Sequence, residues 1–342
     1  MTTMYAARFL GEGKLAVENV PIPHVQNSDD VLLEVEAVGI CGTDLHILDV
    51  PPGHPANLGV VLGHEYTGHV IEVGQSVRHF KPGDRVVVDP NLTCGLCDYC
   101  RRGMPHMCEE MTTLGIYIDG GLARYNVAPE RALYMIPDEM PLEHAVLTES
   151  LSCVVHAVDR LKPQPGESAV VLGAGPIGLQ FTQLLAAAGV KPLIVSEPAQ
   201  FRREEALQNG AHHVADPTSA ELSEIVKQET GIGADLVVDA VGTLIEQALT
   251  LARGGGRVMI FGQNQTYHAS VKPYDISRHE LTIMGSYIAP FCFPQAIKLL
   301  SQGLVRPEKL ITHRLGLGQI QEGLELLRKG EATKVVIDPR QT

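Results

Sequence analysis

Five of the seven cysteines in this chain fall between residues 41 and 108, in two groups that call for different chemistry. Cys94, Cys97, Cys100 and Cys108 form a C-x2-C-x2-C-x7-C run. Such short intervals let thiolates converge on one tetrahedral ion, and four thiolates leave no position for a further ligand. The run therefore predicts a scaffold zinc that orders a loop, around Asp98-Tyr-Cys-Arg-Arg-Gly103, with no apolar core of its own. Cys41 stands apart in Gly39-Ile-Cys-Gly-Thr-Asp44, and His64, in Gly63-His-Glu65, follows 23 residues later. A thiolate and an imidazole, joined by Glu65 or Glu149 as a candidate carboxylate, would give a zinc with a vacant position where chemistry can happen. Spacing alone leaves ordinary packing roles open for a lone Cys and a lone His.

A third constellation lies further along. Gly173-Ala-Gly175-Pro176-Ile177-Gly178 follows an expected strand (168–172) and opens an expected helix (177–188). The first glycine permits the tight turn, the second lets backbone approach a pyrophosphate, and the third lets helix and strand pack closely. The helix N-terminus then offers unpaired N–H groups to phosphate, and Pro176 costs nothing in the first turn. Glu197 ends the next expected strand, 19 residues beyond Gly178, where a carboxylate can accept hydrogen bonds from a ribose diol. The ordinary alternative for Glu197 is a solvated strand-end carboxylate. A 2′-phosphate beside it would meet a repulsion of about 4 kcal/mol at ~4 Å and an effective dielectric of ~20, so the expected cofactor is NAD. Arg202 and Arg203 stand against this, since either could reach such a phosphate.

The bulk properties limit the alternatives. With 342 residues, 44 % hydrophobic and 20 % charged, the chain is long enough for two domains with separate cores. A net charge of −13 argues against a nucleic-acid or anionic-membrane partner, since both need a basic face. No apolar run approaches the ~18–20 residues of a membrane span. The opening residues lack the basic stretch and apolar core of a signal peptide, so the expectation is a cytoplasmic protein with reduced thiols. Cys153 and Cys292 fit neither metal group and are expected as small buried hydrophobes.

The elements that must position these residues change character along the chain. Up to about residue 150, short β-branched stretches (31–38, 66–73, 84–89) alternate with Gly, Pro and Asp, which predicts an irregular, antiparallel, barrel-like β domain over 1–153. From about 165, strands at 193–197, 236–239 and 256–261 alternate with helices such as 200–209. That rhythm predicts a doubly wound parallel sheet over 154–290, because parallel strands need crossover helices. Helical patterns at 293–302 and 317–328 and a strand at 334–338 are expected to return to the first domain as residues 291–342.

The motifs also occur in a telling order: Gly39-Ile-Cys-Gly-Thr-Asp-Leu-His46, Gly63-His-Glu-Tyr-Thr-Gly-His-Val-Ile-Glu-Val-Gly74, the four-cysteine lobe, Thr148-Glu-Ser-Leu-Ser-Cys-Val-Val-His-Ala157, and the glycine motif. Together they resemble the zinc-dependent medium-chain dehydrogenases, especially the sorbitol (polyol) dehydrogenase branch. Gly285-Ser-Tyr-Ile-Ala-Pro-Phe291 and Leu310-Ile-Thr-His-Arg-Leu315 are similar to that branch too, so the resemblance spans essentially the whole chain. It implies a GroES-like catalytic domain beside a Rossmann domain, two zinc ions per chain, NAD, and a homo-oligomer (dimer or tetramer). It further implies that Cys41 and His64 bind the catalytic zinc, with Glu65 and Glu149 as ligands or near neighbours. A cysteine fills the Glu149 position in the alcohol-dehydrogenase branch, so the carboxylate favours the polyol side. Ser150 departs from the proline that more usually follows.

The reaction implied is oxidation of a secondary alcohol of a polyol or sugar alcohol to a ketone. Thr43 would accept the proton through its hydroxyl, and His46 would hand it to solvent. Gly173, Gly175, Pro176, Ile177, Gly178, Glu197, Arg202, Gly262 and Tyr287 are the expected cofactor contacts, Arg202 near the adenine. The ordinary alternatives are a surface histidine for His46 and a turn hydroxyl capping Asp44 for Thr43. His54, His69 and His79 carry no expected role. Two rival functions stay open. One is L-threonine 3-dehydrogenase, which shares the fold, both zinc motifs and the Cys-Gly-Thr-Asp-x-His run. The other is a non-catalytic NAD-binding zinc protein, which would not need Cys41, His64, Glu149 and Thr43 together.

Overall fold

Strands rich in Val, Leu and Ile, interrupted by glycine turns, build the first half of the chain. The computed structural model describes residues 2–218 and 221–341. The chain divides into two units: Met1–Ser150, Phe293–Ser301 and Ile311–Thr342 form one, and Leu151–Cys292 with Gln302–Leu310 form the other.

In the first unit β1 (Thr3–Gly11) and β2 (Lys14–Pro21) form an antiparallel hairpin. The central strand is β3 (Asp30–Gly39), and the short helix α1 (Gly42–Ile47) follows it. Next come β4 (Glu65–Val73), β5 (Arg85–Val88) and β6 (Asn91–Leu92). The cysteine lobe contains α2 (Asp98–Arg101) and leads to β7 (Thr112–Thr113), which pairs with β6. After β8 (Tyr125–Pro129) and β9 (Leu133–Met135) come α3 (Leu142–Ala145) and α4 (Thr148–Leu161).

The second unit alternates strand and helix: β10 (Ala169–Leu172), α5 (Pro176–Ala187), β11 (Leu193–Ser196), α6 (Gln200–Gln208), β12 (His213–Ala215), α7 (Glu221–Thr230), β13 (Ala234–Asp239), α8 (Ile245–Leu251), β14 (Ala252–Ile260), α9 (Pro273–Arg278) and β15 (Thr282–Gly285). All five strand pairings are parallel, in the order β12-β11-β10-β13-β14-β15. Every residue of β10 and β11 is buried, as expected of strands covered on both faces. The order reverses beside β10, and such switch points open a crevice at the carboxyl ends of the strands. The glycine motif sits at the carboxyl end of β10.

The chain then supplies α10 (Phe293–Ser301), β16 (Ile311–Gly316), α11 (Ile320–Arg328) and β17 (Lys334–Asp338) to the first unit. Its seven-stranded sheet runs β16-β17-β3-β4-β5-β9, with β8 on β3. This sheet is mixed, because β16 and β17 pair in parallel. Buried Leu33, Tyr66, Ile47 and Leu62 help to form its core, and a fully buried side chain of this size contributes about 1.5–3 kcal/mol.

Strand register, more than core size, decides which polar side chains meet. Gly39 lies opposite Glu65 on one side and opposite Val336 on the other. The end of β3, the start of β4 and the start of β17 thus come together at one place.

Candidate active site and metal centres

That meeting place gathers ionisable groups. Cys41, just past β3, is the N-cap of α1, and its N–H donates to Asp44 Oδ2 at 2.9 Å. Ligand atoms of Cys41, His64 and Glu65 all lie within 4.8 Å of one another. Zinc with bonds of about 2.0–2.3 Å spans ligand pairs about 3.3–3.8 Å apart, so the three need close in only slightly. The other oxygen of Asp44, Oδ1, lies 3.8 Å from His64 Nδ1. One buried aspartate therefore orients both Cys41 and His64.

The donor set also asks for a cation. Asp44 Oδ1, His64 Nδ1 and Glu65 Oε1 are buried without hydrogen-bond partners. Unsatisfied buried polar atoms are uncommon, and three at one spot point to a missing ion. Burial pulls the His64 pKa down, but Cys41, Asp44 and Glu149 outweigh it and leave the ring well above its usual value. Burial pushes Glu149 up to about 7, with His64 opposing and Glu65 reinforcing. Glu149 stands near the start of α4 and falls outside the tight three-residue set. Lys334, at the start of β17, is buried, and its Nζ donates to Glu65 Oε2 and to Ile40 O. Burial works against its charge, while Glu65 and Cys41 hold its pKa above the usual value.

These shifts make zinc uptake proton-linked. A ligand must shed its proton before it binds metal. Glu149 is neutral below about 7, and His64 holds its proton to unusually high pH. Affinity at this centre is expected to fall as pH drops through about 7, with protons released on binding. Calorimetric titration of the metal-free chain in buffers of different ionisation heat measures this. Affinity independent of pH would show that neither group titrates on binding.

Two further residues stand on α1. Thr43 Oγ1 lies 3.8 Å from Cys41 Sγ, and it is Asp44, not Thr43, that caps the helix. His46, one turn on, has a half-exposed ring with Nδ1 3.3 Å from Asp49 Oδ2. His54, to which the sequence assigns no role, feels the charges of His64 and His46, and burial lowers its pKa. His69 is paired with Glu36 at 2.6 Å, and the His79 N–H donates to Glu130. Asp44 and Lys334 are the residues that sequence reasoning missed. Asp44 carried a signal, an acid three positions after a candidate N-cap. Lys334 carried none.

The four-cysteine lobe is a separate centre. The sulfurs of Cys94, Cys97, Cys100 and Cys108 all lie within 4.8 Å of one another, and all four are free thiols. Backbone N–H groups point at them: Cys94 N donates to Cys108 Sγ at 3.3 Å, and Leu96 N and Cys97 N donate to Cys94 Sγ at 3.4 Å. N–H donation from Cys100 and Glu109 lowers Cys97 to about 7. Such donors stabilise thiolate, the form that binds metal. Cys292 is buried and Cys153 half-buried.

In the second unit the glycine turn has the expected build. Gly173 adopts φ +99°, and a Cβ on Gly178 would fall 1.9 Å from Gly173 O, so the helix can approach only as glycine. Gly175 is the N-cap of α5, and Pro176 and Ile177 form its first turn. Glu197 is not solvated. Its carboxylate is buried and accepts N–H from Ala174, inside the glycine turn, at 2.9 Å and from Ala199 at 3.0 Å. Arg203 is bound to the carbonyls of Glu197 and Pro198 and paired with Asp216. Arg202 lies 5.6 Å over the Phe201 ring. Gly262 closes on the 241–242 backbone, where a Cβ would fall 2.2 Å from Gly242 N, and Tyr287 is partly exposed.

Comparison with known proteins agrees with this architecture. A family described as "Alcohol dehydrogenase GroES-like domain" matches residues 27–138, and one described as "Zinc-binding dehydrogenase" matches residues 176–302. Sorbitol dehydrogenase of Bacillus subtilis is 33 % identical, over 99 % of this chain and 98 % of its own. L-threonine 3-dehydrogenase of Caldanaerobacter subterraneus is 36 % identical, over 91 % of this chain and 92 % of its own. A zinc-binding dehydrogenase structure from Sinorhizobium meliloti 1021, bound to NADP, superposes with a TM-score of 0.93 at 34 % identity, covering 99 % of this chain and all of that one. The chain belongs to the zinc-dependent medium-chain dehydrogenases, of the sorbitol dehydrogenase-like type, and is an oxidoreductase acting on CH–OH groups.

Proposed function

We propose that this protein oxidises a secondary alcohol of a polyol or sugar alcohol to a ketone with NAD, using two zinc ions per chain. The observation that carries the reading is the buried set of Cys41, His64 and Glu65, whose ligand atoms lie within 4.8 Å of one another. Its orphaned polar atoms and N/S/O donors fit a zinc with an open position. Zinc supplies Lewis acidity that eases loss of an alcohol proton, and the nicotinamide accepts the hydride. The chain's own residues do the rest. Asp44 holds Cys41 and His64 in place. The Thr43 hydroxyl takes the substrate proton while giving up its own, and His46, backed by Asp49, passes it to water. Glu149 completes the acidic surround, and the lobe cysteines serve only as scaffold.

The Glu149-Ser-Leu-Ser-Cys153 and Gly285-to-Phe291 segments support polyols over L-threonine, although a threonine dehydrogenase is among the similar chains. The test is a panel of C4 to C6 polyols, inositols and L-threonine, followed by NADH absorbance in the zinc-loaded protein. Turnover of L-threonine alone reverses the substrate assignment. Absence of NADH from every alcohol returns the reading to a non-catalytic zinc protein.

NAD preference rests on the buried Glu197 carboxylate and on the tethering of Arg203, which leaves it badly placed to offset a 2′-phosphate. The expected preference in kcat/KM is at least about tenfold, well inside the repulsion of about 4 kcal/mol between close like charges. Glu197→Ala should narrow the ratio. Equal use of NADP and NAD by the unaltered protein would remove Glu197 as the discriminating residue, and the NADP-bound structural relative makes this comparison pointed.

A further inference from the structure

Lys334 is a charged side chain buried to 2 % exposure beside the metal centre, with two fixed partners. Its Nζ donates to Glu65 Oε2 and, at 3.2 Å, to the carbonyl of Ile40, the residue before Cys41. A single ammonium thus joins the two chain segments that carry Cys41 and His64. The other oxygen of Glu65, Oε1, is buried without a partner.

Gly39 makes room for this pair. It does not take a positive φ, so its backbone conformation does not require glycine. A Cβ there would fall 2.3 Å from Glu65 Oε2, 2.8 Å from Lys334 Cε and 3.0 Å from Nζ. The space left by the missing Cβ is occupied by the ion pair.

A carboxylate beside a metal can bind through one oxygen or both, and binding through both would use the position the reaction needs. We propose that Lys334 is the positioning residue of the metal centre: by holding Oε2 of Glu65 it leaves one oxygen, Oε1, to the metal and keeps a coordination position open for substrate. The proposal rests on the reading of Cys41, His64 and Glu65 as that centre. Lys334 also offsets part of the charge of Cys41, Asp44, Glu65 and Glu149, so the metal stays more electron-poor than its donors alone would leave it.

The test uses the full chain with zinc in the cysteine lobe and cobalt at the Cys41 centre, and compares wild type with Lys334→Met and Gly39→Ala. Met deletes the cation, and Ala splits the pair without deleting either charge. Both variants should bind cobalt about tenfold more tightly, the scale on which residues behind metal ligands act. Both should also lose visible absorption, as a second Glu65 oxygen raises the coordination number. Lys334→Met/Glu65→Gln should recover the wild-type spectrum. A merely structural lysine predicts the opposite sign, looser metal binding. Unchanged spectrum and affinity in the variants, or looser binding, would overturn the proposal while the metal centre stands. A wild-type chain that takes metal only in the lobe would overturn the centre itself, and the proposal with it. If Lys334→Met does not fold, Gly39→Ala carries the same comparison.

Discussion

Cys41→Ser and His64→Ala should each abolish turnover yet leave a folded protein holding about one zinc per chain, because the four-thiolate lobe is a closed site of its own. The four lobe sulfurs and the Cys41 set are separate clusters in the fold, so losing one metal need not release the other. Cys97→Ser should behave in the opposite way. The lobe around α2 has no buried residue in that helix, and its order depends on the metal's binding free energy, about 10–16 kcal/mol in isolated zinc-finger peptides. The variant should lose a zinc and melt earlier or aggregate. Zinc content by atomic emission, thermal melting and NADH production separate the two outcomes. A Cys97 variant with full zinc, stability and activity would show that the lobe is no scaffold.

Thr43→Val should lower kcat by roughly 10²-fold or more, the range typical of a group that moves a proton in the transition state. Valine keeps the size and β-branching of threonine, so α1 and the adjacent Cys41 should be undisturbed. His46→Ala should cost less near pH 9, where water or buffer can replace an imidazole that is already half in solvent. A solvent isotope effect on kcat that shrinks in Thr43→Val would place the slow proton movement elsewhere. An unchanged rate would remove Thr43 from the mechanism.

Much of this could be read along the chain because the determinants are local. The strand-turn-helix of Leu172 to Ala187 is set by three glycines within six residues and an apolar strand before them. The lobe is set by cysteine spacing within 15 residues. The centre at Cys41 is different. Spacing left it open, and the resemblance, not a period or an interval, brought Cys41, His64 and Glu65 together. Lys334 illustrates why such partners are hard to see. It lies 269 positions from Glu65, and a lone lysine opening a strand ordinarily reads as a solvated side chain. Glu197 shows a subtler limit. Its place at the strand end was legible, but its burial and its grip on the Ala174 N–H depend on how the glycine turn folds back over it.

The separation between Glu65 and Lys334 also bears on how the protein is made. Cys94 to Cys108 leave the ribosome within 15 residues of one another, a short loop whose closure costs little entropy. That lobe can hold its ion while most of the chain is still unsynthesised. The Cys41 centre cannot be finished so early. Glu149 arrives 108 residues after Cys41, and Lys334 comes only eight residues before the last. Until β17 lays Lys334 against Glu65, that carboxylate has neither its cation nor its fixed orientation. The two ions therefore enter in a set sequence, scaffold first and reactive site last, and a nascent chain carries no working centre until its final strand has docked.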